Sequence, residues 1–204
     1  MAEKTEKKQN QKEKKEKLGW RKTTVLYLHD WLFLLIGIFL LFLLVFRVIV
    51  VSGDSMFSTL WDGDYLLLLS NVFYHQPEQG DIVVISKDSF DDGEPIIKRV
   101  IATEGQTVDI DFESGAVYVD GQVLTEPYIY TPTTTPRGME FPLTVEENCI
   151  FVLGDNRAVS LDSRAPEIGQ VDRREILGKA LYRMIPGTHH GQLPLDYGRI
   201  GGIA

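Results

Sequence analysis

Sixteen consecutive residues without a charge, Trp31 to Phe46, constrain the fold of this chain more than any other feature. At 1.5 Å rise per residue they make a helix of about 24 Å, short of the ~30 Å hydrocarbon core of a bilayer. Extension back to Tyr27, and forward past an Arg47 that snorkels to the interface, closes that gap. The run is apolar on every face and a basic block precedes it, which a buried helix of a soluble core does not need. A cleaved signal peptide shares the basic leader and apolar centre. No small-x-small cleavage site follows, however; Arg47 and four β-branched residues, Val48 to Val51, do. The expectation is an uncleaved membrane anchor over residues 25–47.

Charge divides the chain at the same place. Nine Lys/Arg against four Glu make residues 1–24 +5, which leaves −13 for the rest of a chain whose total is −8. The positive-inside rule puts the Lys-rich end in the cytoplasm and the acidic remainder outside. Residues 3–17, rich in Lys, Gln and Glu, read as disordered or weakly helical, with anionic membrane lipid as a secondary partner. An acidic domain lacks the basic face that phosphate contacts need, so nucleic acid is not an expected partner.

Beyond the anchor, residues 48–186 read as one domain and residues 187–204 as a tail. Tyr65–Leu69, Ile82–Ser86, Ile96–Thr103 and Cys149–Leu153 are expected strands. Thr107–Asp111 and Ala116–Val119 form an expected hairpin, and the turn Asp120-Gly121 leads to Gln122-Val123-Leu124. Arg173–Gly178 suggests a short helix with Asp172 as N-cap, and Thr131–Pro136 a surface loop. Many short strands with Gly-Asp turns give the fold class: mainly β, with a coiled antiparallel or barrel-like sheet.

The chemistry narrows by what the chain contains. Cys149 is its single cysteine, so no internal disulfide forms. It reads as a buried thiol at a strand end, because a cysteine nucleophile needs an activating histidine. The four histidines, His29, His75, His189 and His190, fall in the anchor flank, a loop and the tail. H-E-x-x-H and paired-cysteine spacings do not occur, so no metal or other cofactor is implied. A serine can still be activated by a lysine whose pKa burial has depressed. Ser55, at the exit of the anchor, and Lys98, in the apolar run Ile96–Ile101, are candidates for that pair. In a strand Lys98 points opposite to Ile97 and Arg99.

Four segments occur in order: Gly53-Asp54-Ser55-Met56-Phe57-Ser58-Thr59-Leu60, Gly80-Asp81-Ile82-Val83-Val84, Ile97-Lys98-Arg99-Val100-Ile101, and Gly154-Asp155-Asn156-Arg157-Ala158-Val159-Ser160-Leu161-Asp162-Ser163-Arg164. Together they resemble the boxes of the bacterial type I signal peptidases, membrane-bound Ser-Lys proteases. The likeness runs from the anchor to about Pro186 and is to the small, single-anchor form of Gram-positive bacteria. It implies Ser55 as nucleophile and Lys98 as general base, reacting through an acyl-enzyme. It implies Ser160 as the serine that orients the lysine amine, and Asp155, Arg99, Asp162 and Arg164 as charged braces. Substrates would be signal peptides of exported preproteins, cut after small-x-small sites, and the secretion machinery a further contact. By position, Ile49, Val51, Met56, Leu60, Leu66, Val84, Ile96 and Ile97 are candidates to line the substrate pockets, and the strand edge near Ile82–Ile85 to pair with an extended substrate. The chain departs from the family pattern at Ser58, at Glu104-Gly105-Gln106 and at Gly53. The last lacks a hydroxyl that some members use in the oxyanion hole, which leaves Ser52 or a water as second donor. Three other readings compete: a soluble Ser-Lys self-cleaving repressor relative, which the anchor argues against; a non-catalytic assembly factor, which would lack both Ser55 and Lys98; and a dedicated pilin or conjugation peptidase, which sequence alone does not separate from a general enzyme.

Overall fold

The structure, a computed structural model, describes residues 2–87, 90, 93–188 and 195–203. His189 and His190 lie outside them. The chain forms two units, residues 1–44 and 45–204.

The first unit is helix α1 (Ala2–Val45). It includes the Lys/Gln/Glu-rich leader expected to be disordered or weakly helical; these straight-chain residues are good helix formers. Within it, the 22 residues Thr24–Val45 have a mean hydropathy of 2.4. They reach about 33 Å, enough to cross a bilayer. Arg47, expected inside the anchor, belongs instead to strand β1 (Phe46–Val50), where it pairs with Leu68. The β-branched run that begins at Val48 favours a strand over a further helical turn.

The second unit is mainly β, as expected. After β1 come β2 (Tyr65–Ser70), β3 (Ile82–Ile85), β4 (Ile96–Thr103), β5 (Thr107–Asp111), β6 (Ala116–Val119), β7 (Gln122–Val123), β8 (Leu143–Thr144), β9 (Cys149–Leu153), β10 (Val171–Asp172), β11 (Ile176–Ile185) and β12 (Gly201–Gly202). The larger sheet has the order β1-β2-β11-β3-β4-β9-β10, with β12 also paired to β11; the smaller is β7-β6-β5-β8. Every strand pair is antiparallel. Register shifts in β11 and β4 mark the irregularities that bend and twist such a sheet. Asp120 and Gly121 both have positive φ, 52° and 76°, the conformation a tight two-residue hairpin turn requires.

Two expectations change here. The proposed helix Arg173–Gly178 is only a 3-10 turn, Arg173–Glu175. Asp172 does cap it, and Glu175 bonds back to the Asp172 N–H at 3.0 Å. Ile176 then opens β11, the strand that joins β2 to β3. Its bulges break the alternation that would have revealed it. The Thr131–Pro136 segment is not purely superficial. Thr133 is fully buried and its hydroxyl accepts from Arg157, while Thr131 bridges to Asn156.

Strands β3, β4 and β9 are buried on both faces, which explains their unbroken apolar sequences. Alternation sends Ile82, Val84 and Ile97 into one cluster with Val51, Met56, Leu60, Leu66 and Leu68. Val83, Ile85 and Val100 face the other way, against Ile150, Val152 and Ile176. The first cluster is the bed on which the Ser55 loop rests.

Candidate active site

Residues 52–63 form a closed loop. The Val51 N–H donates to Asp64 O and the Gly63 N–H to Val51 O, both at 2.9 Å. Within the loop Met56 and Leu60 stand one helical turn apart, with Leu60 N–H on Met56 O at 2.8 Å. Both side chains are buried in the apolar bed. Burial of each contributes about 1.5–3 kcal/mol, which is what seats the loop. Ser55, next to Met56, stays half-buried at the surface.

Lys98 comes from β4, where it pairs with Val83. It is 3% exposed. Its Nζ lies 2.9 Å from Ser55 Oγ and donates to Ile97 O at 3.0 Å. Burial drives the pKa of this amine down from 10.5 to about 8, against an opposing upward pull from Asp162 and Asp155. The two residues singled out in the sequence are thus in contact, and the amine is poised to lose its proton near neutrality.

The stretch after β9 braces both partners. The Asn156 N–H donates to Ser55 O at 3.0 Å and its side-chain amide to Asp54 O at 3.1 Å. Asp155, fully buried, takes a two-pronged contact from Arg99 at 2.9 and 2.8 Å. It also accepts from the Thr59 hydroxyl at 2.5 Å, which ties the far side of the Ser55 loop to β4. Asp162 accepts from Arg164 at 2.8 and 2.9 Å and from the Gly154 N–H at 3.1 Å. Gly154 allows the close approach: a Cβ there would collide with Ser160 Oγ and Ser55 O.

Ser160 departs from its expected place. Its hydroxyl is buried but has no hydrogen-bond partner among the described residues, so it does not hold the Lys98 amine. The side chain packs against Gly154, and the amine is turned to Ser55 and to the Ile97 carbonyl. Asn156, in the same motif, holds the nucleophile loop through its N–H and side-chain amide instead. Two buried ion clusters were not read from the sequence at all: Arg157 with Glu126, and Asp64 with Arg183 and Arg199. Their partners are 31 to 135 residues apart, and no local pattern links them. Within residues 187–204, the described Arg199 pairs with Asp64 and β12 pairs with β11.

A pocket of about 200 Å³ opens beside the dyad. Of the candidate substrate-binding residues, Ile49, Val51, Met56, Ile96 and Ile97 line it, with Val50, Ser52, Ser55, Pro95 and Lys98. Leu60, Leu66 and Val84 do not; each is fully buried in the apolar bed. Strand β3, expected to offer an edge near Ile82–Ile85, is flanked by β11 on one side and β4 on the other. The missed strand β11 covers that edge. Gly53 has its N–H committed to Asp62 Oδ1 at 2.9 Å, whereas Ser52 is exposed. Cys149 is half-buried, and burial raises its pKa, away from a reactive thiolate.

An apolar groove beside a contacting serine and buried lysine defines a peptidase class of site, and sequence comparison agrees. Residues 24–185 match the family model described as signal peptidase, peptidase S26. The chain belongs to that family, among the signal peptidase I enzymes. It is 39% identical over 150 residues to a probable signal peptidase I-1 of Synechocystis sp., covering 70% of this chain and 73% of that one. It is 31% identical over 189 residues to signal peptidase I S of Bacillus subtilis, covering 88% and 95%. A crystal structure of a signal peptidase I from Enterococcus faecalis aligns with a TM-score of 0.41 at 30% identity, covering 51% of this chain and 96% of that one.

Proposed function

We propose that this chain is a membrane-anchored serine endopeptidase that removes signal peptides from exported preproteins with Ser55 and Lys98. The observation that carries the reading is the 2.9 Å contact between Ser55 Oγ and a lysine amine shielded from water. A neutral Lys98 accepts the Ser55 proton as Oγ attacks the scissile carbonyl. The lysine returns that proton to the leaving amine. It then takes a proton from the water that hydrolyses the Ser55 ester. The Ser55 N–H and the Ser52 hydroxyl would hold the oxyanion; loss of one such donor costs ~3 kcal/mol of transition-state stabilisation.

An extended substrate can add as a strand. Among the described residues, strand β1 is paired with β2 alone, and on its second side β4 meets β9 from Arg99 onward. Ile97 therefore lies beyond the end of β9 on that side, with its carbonyl accepting from Lys98, and Ile96 and Ile97 line the pocket with Ile49 and Val51. A volume of about 200 Å³ suits small side chains at positions −1 and −3 of the cleavage site.

Lipid contact has its own support. Val50, Tyr65 and Ile185 are neighbours across β1, β2 and β11, and each is more than 40% exposed. Val48 and Tyr182 add to the exposed apolar residues of the same strands. Such a patch, of which β1 follows α1 in sequence, fits a surface lying against the bilayer. The basic leader favours a cytoplasmic N-terminus and an extracytoplasmic domain.

The deciding experiment is cleavage of a preprotein by the purified full chain in detergent. Ser55→Ala and Lys98→Ala are each expected to lower the rate by about 10⁴-fold or more while leaving the circular dichroism spectrum intact. Wild-type turnover by either variant would eliminate the dyad.

A further inference from the structure

Behind the Ser55 loop lies a second polar cluster that the dyad chemistry does not use. Asp64, fully buried, closes the loop. Its carboxylate accepts from the Trp61 N–H at 2.9 Å and the Gly187 N–H at 2.6 Å. Arg183 reaches it at 2.9 Å, and Arg199 reaches it twice, at 3.2 and 3.0 Å. Both guanidinium groups also donate to Thr59 O. The Arg199 guanidinium carbon sits over the Trp61 ring, 3.6 Å from its centre. Thr59 is thus held from two directions: its hydroxyl by Asp155 and its carbonyl by the two arginines.

The second arginine is the informative one. Two backbone N–H groups and Arg183 already satisfy Asp64, so Arg199 is not needed to neutralise it. Placing another cation beside Arg183 is unfavourable, and burial together with that neighbour lowers the pKa of Arg199. The C-terminal segment nevertheless delivers it with care. Asp196 accepts from the Gly198 N–H at 3.0 Å, and β12 pairs with Tyr182 and Arg183 of β11. Arg199 O accepts from Arg183 at 2.8 Å, and Ile203 packs on the apolar bed that seats Met56 and Leu60.

We infer that Asp196–Ile203 is a strap that positions the nucleophile, with Arg199 as its positioning residue. It fixes Thr59 O, Trp61 and Asp64, and through them the distance from Ser55 to Lys98. The inference rests on the Ser55–Lys98 reading. Arg199 acts through the loop and takes no part in proton transfer.

The test uses the full chain in detergent with a preprotein substrate. Arg199→Gln is expected to lower kcat by about tenfold or more, with KM within about twofold of wild type. Its thermal midpoint should stay within about 5 °C, the effect of ~1–2 kcal/mol in a chain of this size. Arg199→Lys, which keeps the charge but not the planar fork, should recover part of kcat. A loosened loop also rehydrates the lysine, so the pH midpoint of kcat/KM should move upward from near 8. A purely structural arginine would not move that midpoint. Wild-type kcat and pH midpoint in Arg199→Gln would overturn the strap, as would a loss of rate no larger than the loss of folded protein. If Arg199→Gln does not fold, Trp61→Leu removes the stacking and keeps the ion cluster; the same upward pH shift is expected, and its absence overturns the strap. Ser55→Ala separates the two ideas. Activity retained there defeats the dyad itself, whereas an inactive Ser55→Ala beside a wild-type Arg199→Gln defeats only the strap.

Discussion

At the residue scale, Lys98 sets the pH behaviour of the molecule. Only the neutral amine can accept the Ser55 proton, and its pKa is lowered to about 8 by burial. The expected kcat/KM therefore rises through pH 7 to 9 with a midpoint near 8, and a flat profile across that range would count against the dyad. The same shift has a stability signature. Folding lowers the lysine pKa from 10.5 to about 8, so between those values the unfolded chain binds a proton that the folded one does not. Stability contributed by this site accordingly increases as pH rises from 8 to 10.5. Denaturant titrations at several pH values should show that slope, and Lys98→Met should flatten it. Asp155 carries a different expectation. Asp155→Ala leaves the Arg99 guanidinium buried and unpaired and frees the Thr59 hydroxyl. It should cost about 3–5 kcal/mol, measured by the shift in unfolding midpoint.

At the level of elements, what was legible followed from local pattern. Strands β2, β4, β5, β6 and β9 announced themselves through apolar runs and Gly-Asp turns, and Lys98 through its isolation in such a run. Asp172 was recognisable as a cap, but what it caps is a single 3-10 turn. Strand β11 was hidden because two bulges shift its alternation, and that error propagated: without β11, β3 looked like a free edge. The pocket was half legible. Ile49, Val51, Met56, Ile96 and Ile97 flank the dyad in sequence, whereas only three-dimensional packing separates them from the core residues Leu60, Leu66 and Val84. The buried Arg157–Glu126 and Asp64–Arg183–Arg199 clusters depend on contacts over long sequence separations and leave no periodic trace. One glycine carries an element-scale prediction. Gly154→Ala would push a Cβ into Ser160 and into the Ser55 carbonyl, so the loop after β9 must shift away from the nucleophile. Cleavage should fall by about 10²-fold, more than the accompanying loss of stability explains.

At the scale of the whole molecule, the proposed lipid-facing patch carries its own prediction. Replacing Val48, Tyr65 and Ile185 together by serine is expected to leave cleavage of a short peptide in detergent within about twofold, because their side chains are exposed, outside the packed clusters and outside the pocket lining. On vesicles of mixed phosphatidylglycerol and phosphatidylethanolamine the same variant should process an inserted preprotein more slowly. Equal rates on vesicles would remove the lipid-facing assignment. The order of strands has a further consequence, in time as much as in space. Ser55 follows β1 and Lys98 lies in β4, and in the sheet only β11 stands between β2 and β3 to join those two halves. Synthesis makes Ser55 and Lys98 early and Ile176–Ile185 late. A nascent chain already holds both reactive side chains but has no strand to bring them together, so the protease is expected to stay silent until β11 has been made. A chain stopped after Glu175 should be inactive in the same cleavage assay.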